Sequence, residues 1–260
     1  MRIGMLLAVA LSTIGLAAVQ DQFPAHDGTA VTITPLLHAS VQLEHRGTVI
    51  QIDPWSAADL SMARRADLIL ITDDPVHHLD PKAIERLRKP GAPVVITAAG
   101  RALVPDGVVM AIGEKTTQAG IPIEAIAAYD LVEGEPSHPK GQSNGYVVTL
   151  GGARIYFAGV TECVPELKAL KNIDVAFLPM NIPPGRMPPV AAAACARALA
   201  PKVVYTYHYD QTYAARITNP RAAPQLLPGG LTIAQTLDAF AAELKGSGIE
   251  FRNAAWYPPR

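Results

Sequence analysis

The chain has 260 residues, 49% of them apolar, which is long for one domain but within the range of a single α/β domain with a large core. Its formal net charge is −1, so it carries no electrostatic footprint for nucleic acid, and a nuclease is disfavoured. The 23 prolines fall mostly in turns, as in a fold of many short elements.

Arg2 gives the chain a positive start, and Met5 to Ala18 is almost wholly apolar. Gly15-Leu16-Ala17 offers small residues where a signal peptidase reads, so residues 1–17 are expected to be a secretory signal. The stretch is short for a membrane span. An uncleaved anchor or a buried first strand is the alternative. No Cys follows it, which argues against a lipid anchor. The mature domain, residues 30–260, is then expected to be periplasmic or secreted, with no stable membrane association. Such compartments permit disulfides, but Cys163 and Cys195 are expected to be two unpaired thiols.

Residues 21–28 are polar and read as loose. Val31 to Pro35, Ser40 to Leu43 and Thr48 to Ile52 read as an antiparallel start, with a turn at Arg46-Gly47. Residues 66–72 form the next strand. Asp80 caps a helix with Pro81 at its first position. Ala92 to Ala98 and Ile121 to Ala128 follow as strands, with Val108 to Ile112 short and apolar between them. Asn144 to Leu150 and Ala153 to Ala158 form a hairpin closed by Gly151-Gly152. Ile173 to Leu178 and Val203 to Tyr207 are buried strands. Val164 to Leu170, Pro188 to Ala200 and Ile233 to Leu244 are helices. Pattern alone supports α/β or α+β.

The loop after the apolar run at 66–71 carries Thr72-Asp-Asp-Pro-Val-His-His-Leu-Asp80. It resembles the metal-binding loop of the metallo-β-lactamase superfamily, whose usual pattern is Thr-His-x-His-x-Asp-His. Four further segments carry the likeness in the same order: His38-Ala-Ser with Val49 to Trp55, His138 to Tyr146, Tyr156 to Glu162, and Tyr205 to Tyr209. They resemble the ascorbate-phosphate-lactonase-like branch. The resemblance implies a four-layer αββα sandwich, an α/β (α+β) fold in one domain, and a metal-dependent hydrolase.

Position by position, the resemblance makes His138 a ligand of a first metal, and His78 and His208 ligands of a second. Asp73 and Pro75 replace the other first-metal histidines, His77 replaces the second-metal Asp, and Val160 replaces the bridging Asp. Two cations a few Å apart repel, and the carboxylate that would offset them is missing. One Zn²⁺ per chain is therefore expected, on His78, His138 and His208 with His77 or Asp73, although other divalent metals suit imidazole too. His77 and Asp73 are the candidate catalytic residues, acting on a water. The expected substrate is a small molecule with an ester, lactone, amide or phosphodiester bond. The alternative is a catalytically inactive binding protein that keeps the sandwich.

Other polar residues have plainer readings. His38 ends an early strand, where it either reaches the cleft or is a buried structural histidine, the second being expected. His26 and His45 read as surface residues, and Asp53 as the close of a turn. Glu162 is either a carboxylate behind the site or a helix cap. Tyr207 and Tyr209 share a face that packs, and Arg186 borders the cleft, where it contacts an anionic substrate or is solvated.

Overall fold

Alternating apolar residues build each half of the molecule as an antiparallel meander that turns parallel as its strands shorten. The computed structural model describes residues 20–132, 134 and 136–258. The expected signal at residues 1–17 lies outside the described residues. The first sheet runs in chain order: β1 (Asp21–Pro24), β2 (Ala30–Leu37), β3 (Ser40–His45) and β4 (Thr48–Ile52) are antiparallel, and β5 (Leu68–Leu70), β6 (Val94–Ile96) and β7 (Val108–Val109) are parallel. The second sheet has the same plan. There β8 (Lys115–Gln118), β9 (Ile121–Ala128), β10 (Ser143–Leu150) and β11 (Ala153–Phe157) are antiparallel, and β12 (Val175–Pro179), β13 (Val203–Tyr207) and β14 (Glu250–Phe251) are parallel.

The inner faces of both sheets share one core, in which Val31, Ile33, Val41 and Leu43 join Tyr146, Val148, Phe157 and Phe177. Every residue of β12 and β13 is buried, because helices cover their other face. Those helices include α3 (Pro189–Leu199) and α5 (Ile233–Glu243), whose Ala192, Ala196, Leu199 and Phe240 enter the same core. On the first sheet, α1 (Pro81–Leu87) seals a second cluster of Ile69, Ile71, Val94 and Ile96 with Ile84. The layers are thus helix, sheet, sheet, helix, as expected. Asp80 caps α1 by accepting from Lys82 N at 2.9 Å. No helix of the described residues is long and apolar enough to cross a membrane.

Two expectations are overturned. Residues 21–24 are not loose but form β1, because Phe23 is buried and Asp21 is held by the Tyr205 hydroxyl and by Arg252. Cys163 and Cys195 are not free thiols but a disulfide, with Cα atoms 5.6 Å apart. The short helix α2 (Pro165–Lys168) follows Cys163 directly, and its packing on α3 brings Cys163 to the buried Cys195. The bridge closes 32 residues of sequence. Cys163→Ser is expected to cost about 3–4 kcal/mol by loop entropy. Chemical denaturation of wild type and variant, with and without reductant, measures it.

The site lies where the strands end. The carboxyl ends of β2, β4 and β5 lead into His38, Asp53 and Thr72, and that of β13 leads into His208. Backbone hydrogen bonds stitch the sheets together at this edge, His208 N donating to His38 O at 3.0 Å and Asn144 N to Thr72 O at 2.9 Å. Gly159 sits in the seam with φ +68°. A Cβ there would lie 3.1 Å from Asn144 O and 3.2 Å from Thr72 Cβ.

Candidate metal centre

Three site residues that are not glycine have left-handed backbone: His38 (φ 59°), Asp53 (φ 44°) and His208 (φ 56°). Each follows a strand end directly. Such residues cost about 1–3 kcal/mol apiece and persist where the surroundings over-determine them. Here the inter-sheet hydrogen bond from His208 to His38 helps to fix two of them.

The turn that presents the next two histidines is made by Pro75. Its carbonyl accepts from His78 N at 2.8 Å and Leu79 N at 2.9 Å. His77 and His78 thereby meet His38 and His208, with ring centroids 5.2 Å apart for His38–His77, 3.8 Å for His38–His208 and 5.0 Å for His78–His208. Trp55 walls the group, its centroid 6.1 Å from His38 and 6.0 Å from His77. His38, His77 and His208 each offer a ligand atom within 4.8 Å of the others. The Nε2 atoms of His78 and His208 are 3.1 Å apart.

Polar groups behind the rings fix their orientation. Asp53 Oδ2 faces His78 Nδ1 at 2.7 Å, while its two oxygens also accept from Thr72 N and Oγ1 at 2.7 and 2.6 Å. His78 Nδ1–H therefore points at a buried carboxylate, and its Nε2 lone pair faces the cluster. Gln211 Nε2, an amide donor that also bonds His208 O, lies 2.7 Å from His208 Nδ1. The neutral His208 ring therefore carries its proton on Nε2 and gives it to His78 Nε2 at 3.1 Å, a hydrogen bond that a cation would replace. The Tyr257 hydroxyl lies 2.8 Å from His38 Nδ1. Burial, with the neighbouring His78 adding to it, drives the His77 imidazole down to about 3. Burial followed by the neighbouring histidines also holds His38 and His208 well below the usual imidazole range. At neutral pH these three rings are neutral, the state a metal requires.

A divalent cation fits this donor set. His38 Nε2 is buried and has no hydrogen-bond partner, an arrangement that is costly unless something else satisfies the nitrogen. The separation of 3.1 Å between His78 Nε2 and His208 Nε2 is close to the edge of a tetrahedral nitrogen site, about 3.3 Å for zinc–nitrogen bonds of ordinary length.

The remaining expected ligands form a separate group. His138 Nε2 faces Asp73 Oδ2 at 3.3 Å, and its Nδ1 faces Asp130 Oδ2 at 3.5 Å. Both ring nitrogens are thus turned to carboxylates. Asp73 also accepts from Ser143 Oγ at 2.8 Å and Asp74 N at 2.9 Å. Burial pushes its carboxyl up, but His138, His78 and Ser143 outweigh that and hold it at about 2. Asp130 pairs in turn with the Arg186 guanidinium. Val160 is buried in the core and offers no donor.

Several plainer readings need correcting. His38 is buried, but it is a member of the cluster and not a satisfied core histidine. Asp53 does more than close a turn, since it backs His78. Arg186 is not solvated; it is buried against Asp130, which faces His138, and the Pro183 carbonyl. Glu162 accepts from Leu131 N at 2.7 Å and tethers the loop that carries Asp130, while the cap position of α2 is Val164. His45 is half-buried on Thr29, and His26 lies at the surface against Asp174. Tyr207 and Tyr209 are buried, as packing predicts. Asp130, Gln211 and Tyr257 were not foreseen. The one local signal for His38 is its place at a strand end beside His208's.

Comparison with known proteins places the chain. Residues 32–208 match the model of the beta-lactamase superfamily domain. A UPF0173 metal-dependent hydrolase of Aeropyrum pernix is 30% identical over 200 residues, covering 68% of this chain and 81% of its own. A crystal structure from Parabacteroides distasonis, assigned as a metal-dependent hydrolase, is 35% identical with a TM-score of 0.77, over 93% of this chain and all of that one. Igni18, a metallo hydrolase of Ignicoccus hospitalis, shares the fold at 22% identity and a TM-score of 0.64, over 86% of this chain and 94% of its own. With the family model spanning most of its length and a homologous hydrolase fold covering nearly all of it, the chain belongs to the metallo-β-lactamase superfamily.

Proposed function

We propose that the protein is a metal-dependent hydrolase with one cation per chain, held by His77, His78 and His208, acting on an ester, lactone, amide or phosphodiester bond of a small molecule. The observation that carries this reading is the convergence of those imidazoles at the strand ends, with His78 and His208 nitrogens 3.1 Å apart and Asp53 behind His78. Zinc is the first choice for neutral nitrogen donors. When bound, the cation polarises a carbonyl or phosphoryl oxygen and acidifies water.

A single cation follows from the other half of the site. Val160 brings no donor to the position that the resemblance gives to a bridging carboxylate, and this lack argues for one cation. Asp73 Oδ2 and His138 Nε2 pair at 3.3 Å beside it, with Asp73 Oδ2 and His138 Nδ1 buried and without a hydrogen-bond partner. Asp73 and the partly exposed His138 lie beside the cluster and are placed to take a proton from an attacking water. His77, expected in that role from the sequence, belongs to the cluster. The disulfide supports an oxidising compartment, in keeping with export by the expected signal.

A second reading, an inactive metal-binding sandwich, has one observation in its favour. His38, His78 and His208 are at most 3% exposed, so His77 is the cluster's solvent-side member. The test is turnover of chromogenic ester, lactone, phosphodiester and amide substrates by chelated and zinc-loaded protein. Metal-dependent turnover that falls to background in His77→Ala supports the hydrolase. Tight zinc binding without turnover of any class favours the second reading. Asp53→Asn is expected to weaken zinc binding about 10–100-fold, because it removes the carboxylate that orients His78. Competition with a chromophoric chelator measures that loss.

A further inference from the structure

We infer that His38 is a fourth imidazole ligand of this cation and that Tyr257, near the C-terminus, is the residue that positions it. The inference rests on the one-metal reading and extends it to residues that the superfamily resemblance does not assign. Three observations carry it. His38 shares a set of ligand atoms within 4.8 Å with His77 and His208. Its Nε2 is buried with no partner. Its Nδ1 is taken by the Tyr257 hydroxyl at 2.8 Å.

The last contact is compatible with the tautomer that a metal needs. The phenol oxygen already accepts from Asp210 N at 3.1 Å and packs in a group of rings with Tyr209 and Tyr213. When His38 Nδ1–H donates to that fixed oxygen, Nε2 is left as a bare lone pair aimed at the cluster. An imidazole bound to a metal needs this arrangement, with its second nitrogen held by an outer partner. Trp256, fully buried beside Tyr257, anchors the segment in the core between the sheets. His38 thereby supplies the donor that Val160 does not. The resulting set is neutral and all nitrogen. It favours zinc, copper or nickel over magnesium, calcium or manganese.

The experiment is titration of the metal-free protein with Zn²⁺ and Co²⁺, following affinity and the visible Co²⁺ absorption. Wild type, His38→Ala, Tyr257→Phe, His78→Ala and His45→Ala are compared. His38→Ala is expected to bind at least 100-fold more weakly and to shift the Co²⁺ spectrum. Tyr257→Phe, which keeps the ring and removes only the hydroxyl, is expected to lose about 10–100-fold in affinity. It serves as the test if His38→Ala does not fold. Wild-type affinity and spectrum in His38→Ala, or wild-type affinity in Tyr257→Phe, would overturn the inference. Loss in His78→Ala alone would overturn it while sparing the one-metal reading. No binding by wild type would overturn the one-metal reading itself.

Discussion

His208→Asn is expected to empty the metal centre and bring hydrolysis down to the level of chelated protein. Asparagine is chosen because position 208 has φ 56°, a conformation that Asn adopts at less cost than Ala. The inter-sheet hydrogen bond to His38 O uses the backbone of residue 208 and survives the change. What is lost is the imidazole 3.1 Å from His78 Nε2 and 3.8 Å, by centroid, from His38. A substitution elsewhere should not have this effect. His45→Ala, on a ring that bonds Thr29 away from the cluster, is expected to retain full metal content and activity. Equal damage from the two changes would mean that the site has been placed wrongly. Elemental analysis and turnover of both variants check this.

The metal-free protein is expected to be sharply acid-labile. His38, His77 and His208 are neutral in the folded state, with His77 held at about 3 and the other two well below 6.5. Unfolded, each takes up a proton near pH 6.5. The unfolded chain therefore binds more protons below that pH, and stability falls as pH drops towards the folded values. Each ring contributes up to about 1.4 kcal/mol per pH unit, and three together about 4. The loss therefore begins as pH falls below about 6.5 and steepens as it falls further. Asp73 adds nothing within this window. Its contribution is present above 3.8 and is lost only as pH falls towards about 2. Bound zinc, by stabilising the folded form, should move the transition to lower pH. Urea midpoints between pH 7 and 5, with and without chelator, measure the slope. A flat profile in the metal-free protein would show that these rings are not buried neutral.

Most of the fold was legible in local pattern. The Gly151-Gly152 turn, the alternation around Val31 and Val41, and Asp80-Pro81 before α1 each carry their own signal. The elements that were missed lack one. β1 reads Asp-Gln-Phe-Pro and is a strand because it pairs with β2, buries Phe23 and has its first residue held by Tyr205 and Arg252, far along the chain. The disulfide depends on α2 meeting α3, which no spacing rule reveals.

The site divides in the same way. The loop at 72–80 announced itself, and His77 and His78 do sit beside His208. The grouping of ligands did not. A lone histidine at the end of an apolar strand looks like any core histidine, and only the fold shows that His38 Nε2 lacks a partner. Its contact with Tyr257 spans 219 residues. Pro75 looked like a lost ligand, yet its carbonyl closes the turn that carries His77 and His78. Arg186 looked exposed because it lies in a Pro/Gly loop. Its burial depends on Asp130, whose position is set by the tethering of a distant loop to Glu162.

The protein is expected to hold a single rebuilt metal centre in which four imidazoles meet, with Asp73 and His138 paired beside it. Metal content per chain, by elemental analysis of the protein purified without added metal and again after zinc titration, tests it most directly. The account predicts about one tightly held zinc, lost in His78→Ala and unchanged in His45→Ala. Two metals per chain, or none at micromolar zinc, would contradict it.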